Sequence, residues 1–144
     1  MTREAVREML RNNPRRFGYA LRRALWTHEA MALLPGPYGW NDGGCLLLAE
    51  GLVELLGREA RVRAVVRGGT LYAQHFVVQE GRWHLDADGA CLEGTLLRRW
   101  EEQELVPSPR TAPLRAVDIS AGTPRSAEVS ASVRDFLCAR LPSA

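Results

Sequence analysis

Three residues of this chain have types and settings suited to nucleophilic chemistry: Cys45, His75 and Asp86. Cys45 follows Gly43-Gly44 and opens the run Leu46-Leu47-Leu48-Ala49, a glycine turn feeding an apolar helix. A thiol in the first turn of a helix meets the positive end of the macrodipole and unpaired backbone N–H groups, and both favour the thiolate. The same N–H groups can receive the oxyanion of an acyl-transfer intermediate. The two glycines carry no side chain to stand between a substrate and the sulfur. With His75 as base and Asp86 as its orienter, the chain holds the three parts that nucleophilic catalysis requires.

The link between His75 and Asp86 comes from counting along a hairpin. Residues 71–79 and 82–86 alternate as strands around Glu80-Gly81. With those two residues as the loop, Gln79 faces Arg82, Val77 faces His84, and His75 faces Asp86. Directly opposed residues share a side of the sheet with Cβ atoms about 5 Å apart, close enough for a carboxylate to hold an imidazole. The other face then carries Phe76, Val78, Trp83 and Leu85, a coherent apolar set. A slip of one residue would set Leu85 opposite His75 instead.

The remaining elements must position these residues. Thr2 can cap a first helix bearing Val6, Met9 and Leu10. Asn13 can cap a second, with Pro14 at its first position and apolar residues to Ala32, before Pro35-Gly36-Pro37 stops it. Asn41 or Asp42 is placed to cap the helix that starts at Cys45 and ends before Gly57. Only Glu50 and Glu54 on that helix are charged, so most of its circumference should be buried. Gly51 in its middle costs about 1 kcal/mol against alanine, which is tolerable if another backbone must pass close by. Residues 60–67 read as a half-buried strand. Thr95 can cap a helix carrying Leu96, Leu97, Trp100 and Leu105, and residues 114–119 suit a further strand. Thr123-Pro124 would open a closing helix that Pro142 ends.

Composition limits the partners. The 144 residues suit one domain. Within it, 1–36 form a helical cover, 40–90 the chemistry-bearing core, and 91–144 a helix, loop, strand and closing helix. All 19 basic residues are arginine, so no lysine is available as a Schiff-base nucleophile. The net charge is +2, but residues 1–25 hold seven arginines against Glu4 and Glu8. Arg15, Arg16, Arg22 and Arg23 could therefore grip an anionic partner, or serve as a solvated face. Cys45, Cys91 and Cys138 are an odd number without paired spacing, which argues for reduced thiols and synthesis for the cytoplasm. No apolar run approaches membrane-spanning length, and export by a specialised secretion machine would leave no trace here. His75, His84, Asp86 and Asp88 could surround a cation, but they lack signature metal spacing. Neither a metal nor another cofactor is expected.

The segment 44–89 resembles the catalytic core of the papain-like cysteine-enzyme superfamily, and within it the transglutaminase-like branch. The carriers are Gly43-Gly44-Cys45, Gly57, Ala60-Arg61-Val62, His75-Phe76-Val77 and Gly81-Arg82-Trp83-His84-Leu85-Asp86. Ala87-Asp88-Gly89 follows the aspartate where many relatives have proline. The resemblance implies an α+β fold with a central buried helix on a small antiparallel sheet, flanked by N- and C-terminal helices. It implies Cys45 as nucleophile, His75 as general base and acid, and Asp86 as orienter. Trp40, Asn41 and Gly44 are the candidates to complete an oxyanion hole. The expected function is a cysteine-dependent peptidase, amidase, deamidase or acyl transferase acting on a protein, peptide or small amide. The other readings are a plain core thiol at Cys45, or a non-catalytic binding module that uses the arginines.

Overall fold

The computed structural model describes residues 2–141. Its order is α1 (Arg3–Asn12), α2 (Pro14–Leu25), α3 (His28–Met31), α4 (Cys45–Leu56), β1 (Arg61–Val66), β2 (Ala73–Glu80), β3 (Trp83–Asp86), β4 (Gly89–Leu92), α5 (Glu93–Glu102), β5 (Arg110–Pro113), a 3-10 turn (Leu114–Ala116) and α6 (Ala127–Arg140). The chain is α+β, with helices around one antiparallel sheet of order β4-β3-β2-β1-β5. No helix among the described residues is long and apolar enough to cross a membrane.

Helix α4 is the centre of the molecule. Its six leucines are all buried, as are Cys45, Ala49 and Gly51. Each fully buried leucine contributes about 2 kcal/mol of transfer free energy, so this segment stays helical only inside a core. One side packs on β1 and β2, and the other meets α6. Gly51 permits that second contact: a Cβ there would lie 2.8 Å from the Ser130 carbonyl oxygen and 3.1 Å from Val133. Ser130 in turn donates its hydroxyl to the Leu47 carbonyl at 2.9 Å. Gly57 ends the helix with φ 91°.

The sheet separates two apolar clusters, as strand alternation requires. Ala64, Val66, Phe76, Val78 and Leu85 join the α4 side. Val65 and Val77 point the other way, toward Leu96 and Trp100 of α5 and toward Val106.

Several boundaries differ from the sequence expectation, each for a local reason. The second helix is divided: Trp26 leaves helical geometry, and Thr27 accepts the Ala30 N–H to start α3. Neither Asn41 nor Asp42 caps α4, whose N-cap is Gly44 with no side-chain bond. Strand β4 was not anticipated, and it delivers the chain straight into α5 at Glu93 rather than at a Thr95 cap. Leu105 falls beyond that helix, 79% exposed, with φ 58°. The last strand is β5, before the expected 114–119; Leu114–Ala116 forms the 3-10 turn, and Asp118 bridges to Tyr72. Ser126, not Thr123, caps α6. Pro142, expected to end that helix, lies outside the described residues.

Hairpin β2–β3 also differs. Its pairs are Glu80↔Trp83, Gln79↔His84 and Val78↔Leu85, so the loop is Gly81-Arg82 rather than Glu80-Gly81. Gly81 has φ 61°. Glycine belongs at the first central position of a two-residue II′-type loop, where the backbone must turn positive. The register is displaced by two residues from the expected one, and His75 is not directly opposite Asp86. An even displacement preserves the faces. Continuing the ladder one step sets Asp86 beside Val77, so His75 becomes its diagonal neighbour on the same side.

Candidate functional site

His75 lies at the edge of an irregularity. Strand β2 pairs regularly with β1 from Arg61↔Gln79 to Val65↔His75, then shifts so that Val66 meets Ala73 and Gln74 is left over. Such a bulge re-aims neighbouring side chains, and bulges are common beside functional sites. From here His75 reaches Asp86 at the end of β3, with Nε2 and Oδ2 2.9 Å apart. His75 is fully buried, Asp86 is 4% exposed and Cys45 is 8% exposed.

The carboxylate of Asp86 is held on every side. Its Oδ1 accepts the Asp88 N–H at 2.9 Å, and its Oδ2 is shared by His75 and the guanidinium of Arg99. Arg99 also reaches Asp88, with Nη1 3.5 Å from Oδ2. The next residue, Trp100, stacks on the His75 ring, with centroids 4.5 Å apart and planes inclined by 23°. Helix α5 thus fixes both members of the pair: Arg99 the carboxylate, Trp100 the imidazole. Sequence reasoning missed this role for Arg99. The available signal was its place three residues after Leu96 and beside Trp100, which puts an arginine on the buried stripe of the helix.

The electrostatics follow from these contacts. Burial is the largest single influence on His75 and lowers its pKa, but the hydrogen bond and charge of Asp86 together with Cys45 outweigh it; the result is a rise from 6.5 to about 9. Burial acts to raise the Asp86 pKa, yet His75 and Arg99 together hold it below its ordinary value. The folded pair is therefore an imidazolium and a carboxylate near neutral pH. With Nε2 committed to Asp86, Nδ1 is the nitrogen left free, and it has no hydrogen-bond partner. Cys45 is the thiol whose proximity stabilises this ring. Nucleophile, base and orienter candidates are thus brought together, without a closed hydrogen bond between sulfur and Nδ1.

The candidates for an oxyanion hole fare differently. Trp40 is fully buried and gives its indole N–H to the Leu25 carbonyl at 2.8 Å, so it is a strut. The Gly44 N–H is bonded to the Gly39 carbonyl at 2.9 Å. Asn41 donates Nδ2 to Asp88 at 3.0 Å and ties the cysteine loop to the turn after Asp86. These donors face other partners. What remains is the start of α4, where the helix ladder begins with Leu48 N–H to Gly44 O and no side-chain cap accepts from the preceding N–H groups. Gly43 does not leave open space before the sulfur. It has φ 93°, and a Cβ there would lie 2.1 Å from the Tyr38 ring, which occupies that side.

The other titratable candidates lie apart. His84 shares the His75 face but sits opposite Cys91 across the β3–β4 pair. Both its ring nitrogens lack hydrogen-bond partners, and burial lowers its pKa. Burial raises the pKa of the Cys91 thiol. Cys138 packs against the main core, and His28 is exposed at the start of α3. Among the described residues no group of three or more His, Cys, Asp or Glu side chains is arranged to hold a metal ion. No protein-family model, curated protein or solved structure matches this chain.

Proposed function

We propose that the chain is a cysteine-dependent acyl-transfer enzyme acting on an amide or related acyl bond. The observation that carries this reading is an imidazole fixed by a buried carboxylate through Nε2, with Nδ1 free and Cys45 the neighbouring thiol. In the reaction, the Cys45 sulfur attacks the acyl carbon as thiolate. The oxyanion is received by main-chain N–H groups at the uncapped start of α4. Protonated His75 gives its proton to the departing nitrogen, the C–N bond breaks, and a thioester forms. His75, now neutral, takes a proton from water or an amine as that nucleophile attacks the thioester and releases the thiol. Asp86 and Arg99 hold the ring in place throughout.

The likeness to papain-like enzymes of the transglutaminase-like branch supports the same chemistry. The order Cys, His, Asp is theirs, and a buried helix starting at the cysteine packs on an antiparallel sheet that carries the other two. A second reading is a non-catalytic module that grips an anionic partner. It draws on Arg15, Arg16, Arg22 and Arg23, none of which joins an ion pair among the described residues.

Iodoacetamide labelling followed by mass spectrometry separates the two. Cys45 should alkylate faster than Cys91 and Cys138, and the advantage should collapse in His75→Gln. Labelling of Cys45 no faster than Cys91, or unchanged by His75→Gln, would remove the thiol chemistry and leave the binding module.

A further inference from the structure

Helix α2 presents one exposed stripe that the acyl-transfer reading does not use. Tyr19, Arg22 and Arg23 recur at the spacing that places side chains on one helix face, and Trp26 follows just past the helix end. Tyr19 is 61% exposed and Trp26 47% exposed, unusual for rings this large in a chain with an ample core. Together with Asp88 they line a cleft of about 550 Å³. Arg23 stacks over Tyr19 with its guanidinium carbon 5.7 Å from the ring centroid. Arg22 and Arg23 form no ion pair among the described residues, so two cations stand beside two uncovered rings.

The cleft adjoins the candidate active site through its own wall. Asp88 lies two residues after Asp86 and gives its N–H to that carboxylate. Its side chain accepts from Asn41, in the loop leading to Cys45, and lies within reach of Arg99. Trp26 donates its indole N–H to the Ala87 carbonyl at 2.8 Å in the same turn. A group seated here rests against the segment that orients His75.

We infer that this cleft is a recognition subsite for a carboxylate-bearing, aromatic segment of a peptide substrate. The inference rests on the acyl-transfer reading for its link to an amide bond. Arg22 and Arg23 supply the planar donor forks that carboxylates accept, and Tyr19 and Trp26 supply flat apolar surface. Asp88 fixes the polarity: its charge is already engaged by Asn41 and Arg99, and it confines a ligand's anionic group to the arginine side. A long polyanion would instead have to run past that carboxylate.

The test uses the full chain carrying Cys45→Ala, so that binding is read without turnover. Its probes are a rhodamine-labelled peptide of alternating glutamate and phenylalanine, the same peptide with glutamine for glutamate, and a labelled oligothymidylate. By fluorescence anisotropy, the acidic peptide should bind and weaken with salt. Adding Arg22→Gln with Arg23→Gln should weaken it by about tenfold, the sum of two exposed arginine–carboxylate pairs. The charge-matched pair Arg61→Gln with Arg115→Gln should not. Equal binding of the glutamine peptide, no loss in the Arg22/Arg23 variant, or tighter binding of oligothymidylate would overturn the proposal. Iodoacetamide labelling of the otherwise intact chain keeps the two ideas separate. Fast Cys45 labelling with no peptide binding sinks the subsite alone, whereas peptide binding with a slow Cys45 sinks the thiol chemistry and leaves a peptide-binding cleft without its link to an amide bond.

Discussion

The buried pair His75–Asp86 makes stability depend on pH in a direction that can be worked out. The folded imidazole holds its proton up to about pH 9, against 6.5 for an ordinary histidine. Its contribution is therefore complete below 6.5, erodes as pH rises, and is gone above about 9. A rise of that size corresponds to about 3 kcal/mol. Asp86→Asn removes the partner that opposes desolvation, so burial is left to dominate and the pKa of His75 falls below its ordinary value. The variant should be less stable near neutral pH. It should also lose the decline between about pH 6.5 and 9 that the native chain shows. Urea unfolding followed by tryptophan fluorescence at several pH values measures both curves, and their difference cancels titrations elsewhere. His75→Gln should give the same level profile. If native stability stays level from about pH 6.5 to 9, or if Asp86→Asn declines as steeply, the imidazolium–carboxylate assignment is wrong.

Two further perturbations test the surrounding structure. Arg99→Met removes one partner of the Asp86 carboxylate. Because the arginine side chain is 23% exposed, the loss should be about 2 kcal/mol, below that of a fully buried pair. With Oδ2 left to His75 alone, the decline in stability should also move to higher pH, a change that lost packing would not produce. Gly51→Ala should lower the unfolding midpoint by the equivalent of about 1–3 kcal/mol, since the new methyl meets the Ser130 carbonyl and forces α4 from α6. Gly94→Ala, where a Cβ meets nothing within 4 Å, is the control expected to show no such loss.

How far these features were legible in the sequence depended on the range of the interaction. Helix α4 could be read because glycines punctuate both ends and its apolar run admits only a buried helix. The faces of β2 and β3 could be read because alternation is local. The register could not, since it turns on which residue of the loop takes positive φ, and Gly81 serves as the first loop residue rather than the second. The count was off by two, which kept His75 and Asp86 on one face; an error of one would have parted them. Strand β4 escaped because Gly89–Leu92 is only four residues long and follows turn-forming Asp88. The Arg99–Asp86 ion pair escaped because helical spacing can place Arg99 beside the buried stripe of α5 but does not reveal which carboxylate across the sheet it meets.

Two histidines share one face of the hairpin, and the face alone does not decide which could act as a base. His84 is buried with neither nitrogen hydrogen-bonded; half-exposed Glu93 stands 3.8 Å from its Nε2, and burial outweighs that charge and lowers the pKa. His75 is just as buried, yet it carries a proton because Asp86 answers it and Trp100 fixes its plane. The distinction comes from α5, which lies across the sheet from the helix that supplies the thiol. Cys45 belongs to the α4 cluster, while Val65, Val77 and Trp100 belong to the other. The bulge at Gln74 lets one imidazole, on the second side, stand near a sulfur from the first. A glycine-led cysteine at a helix start and an arginine-clamped carboxylate thus come to the same imidazole from opposite sides of the sheet.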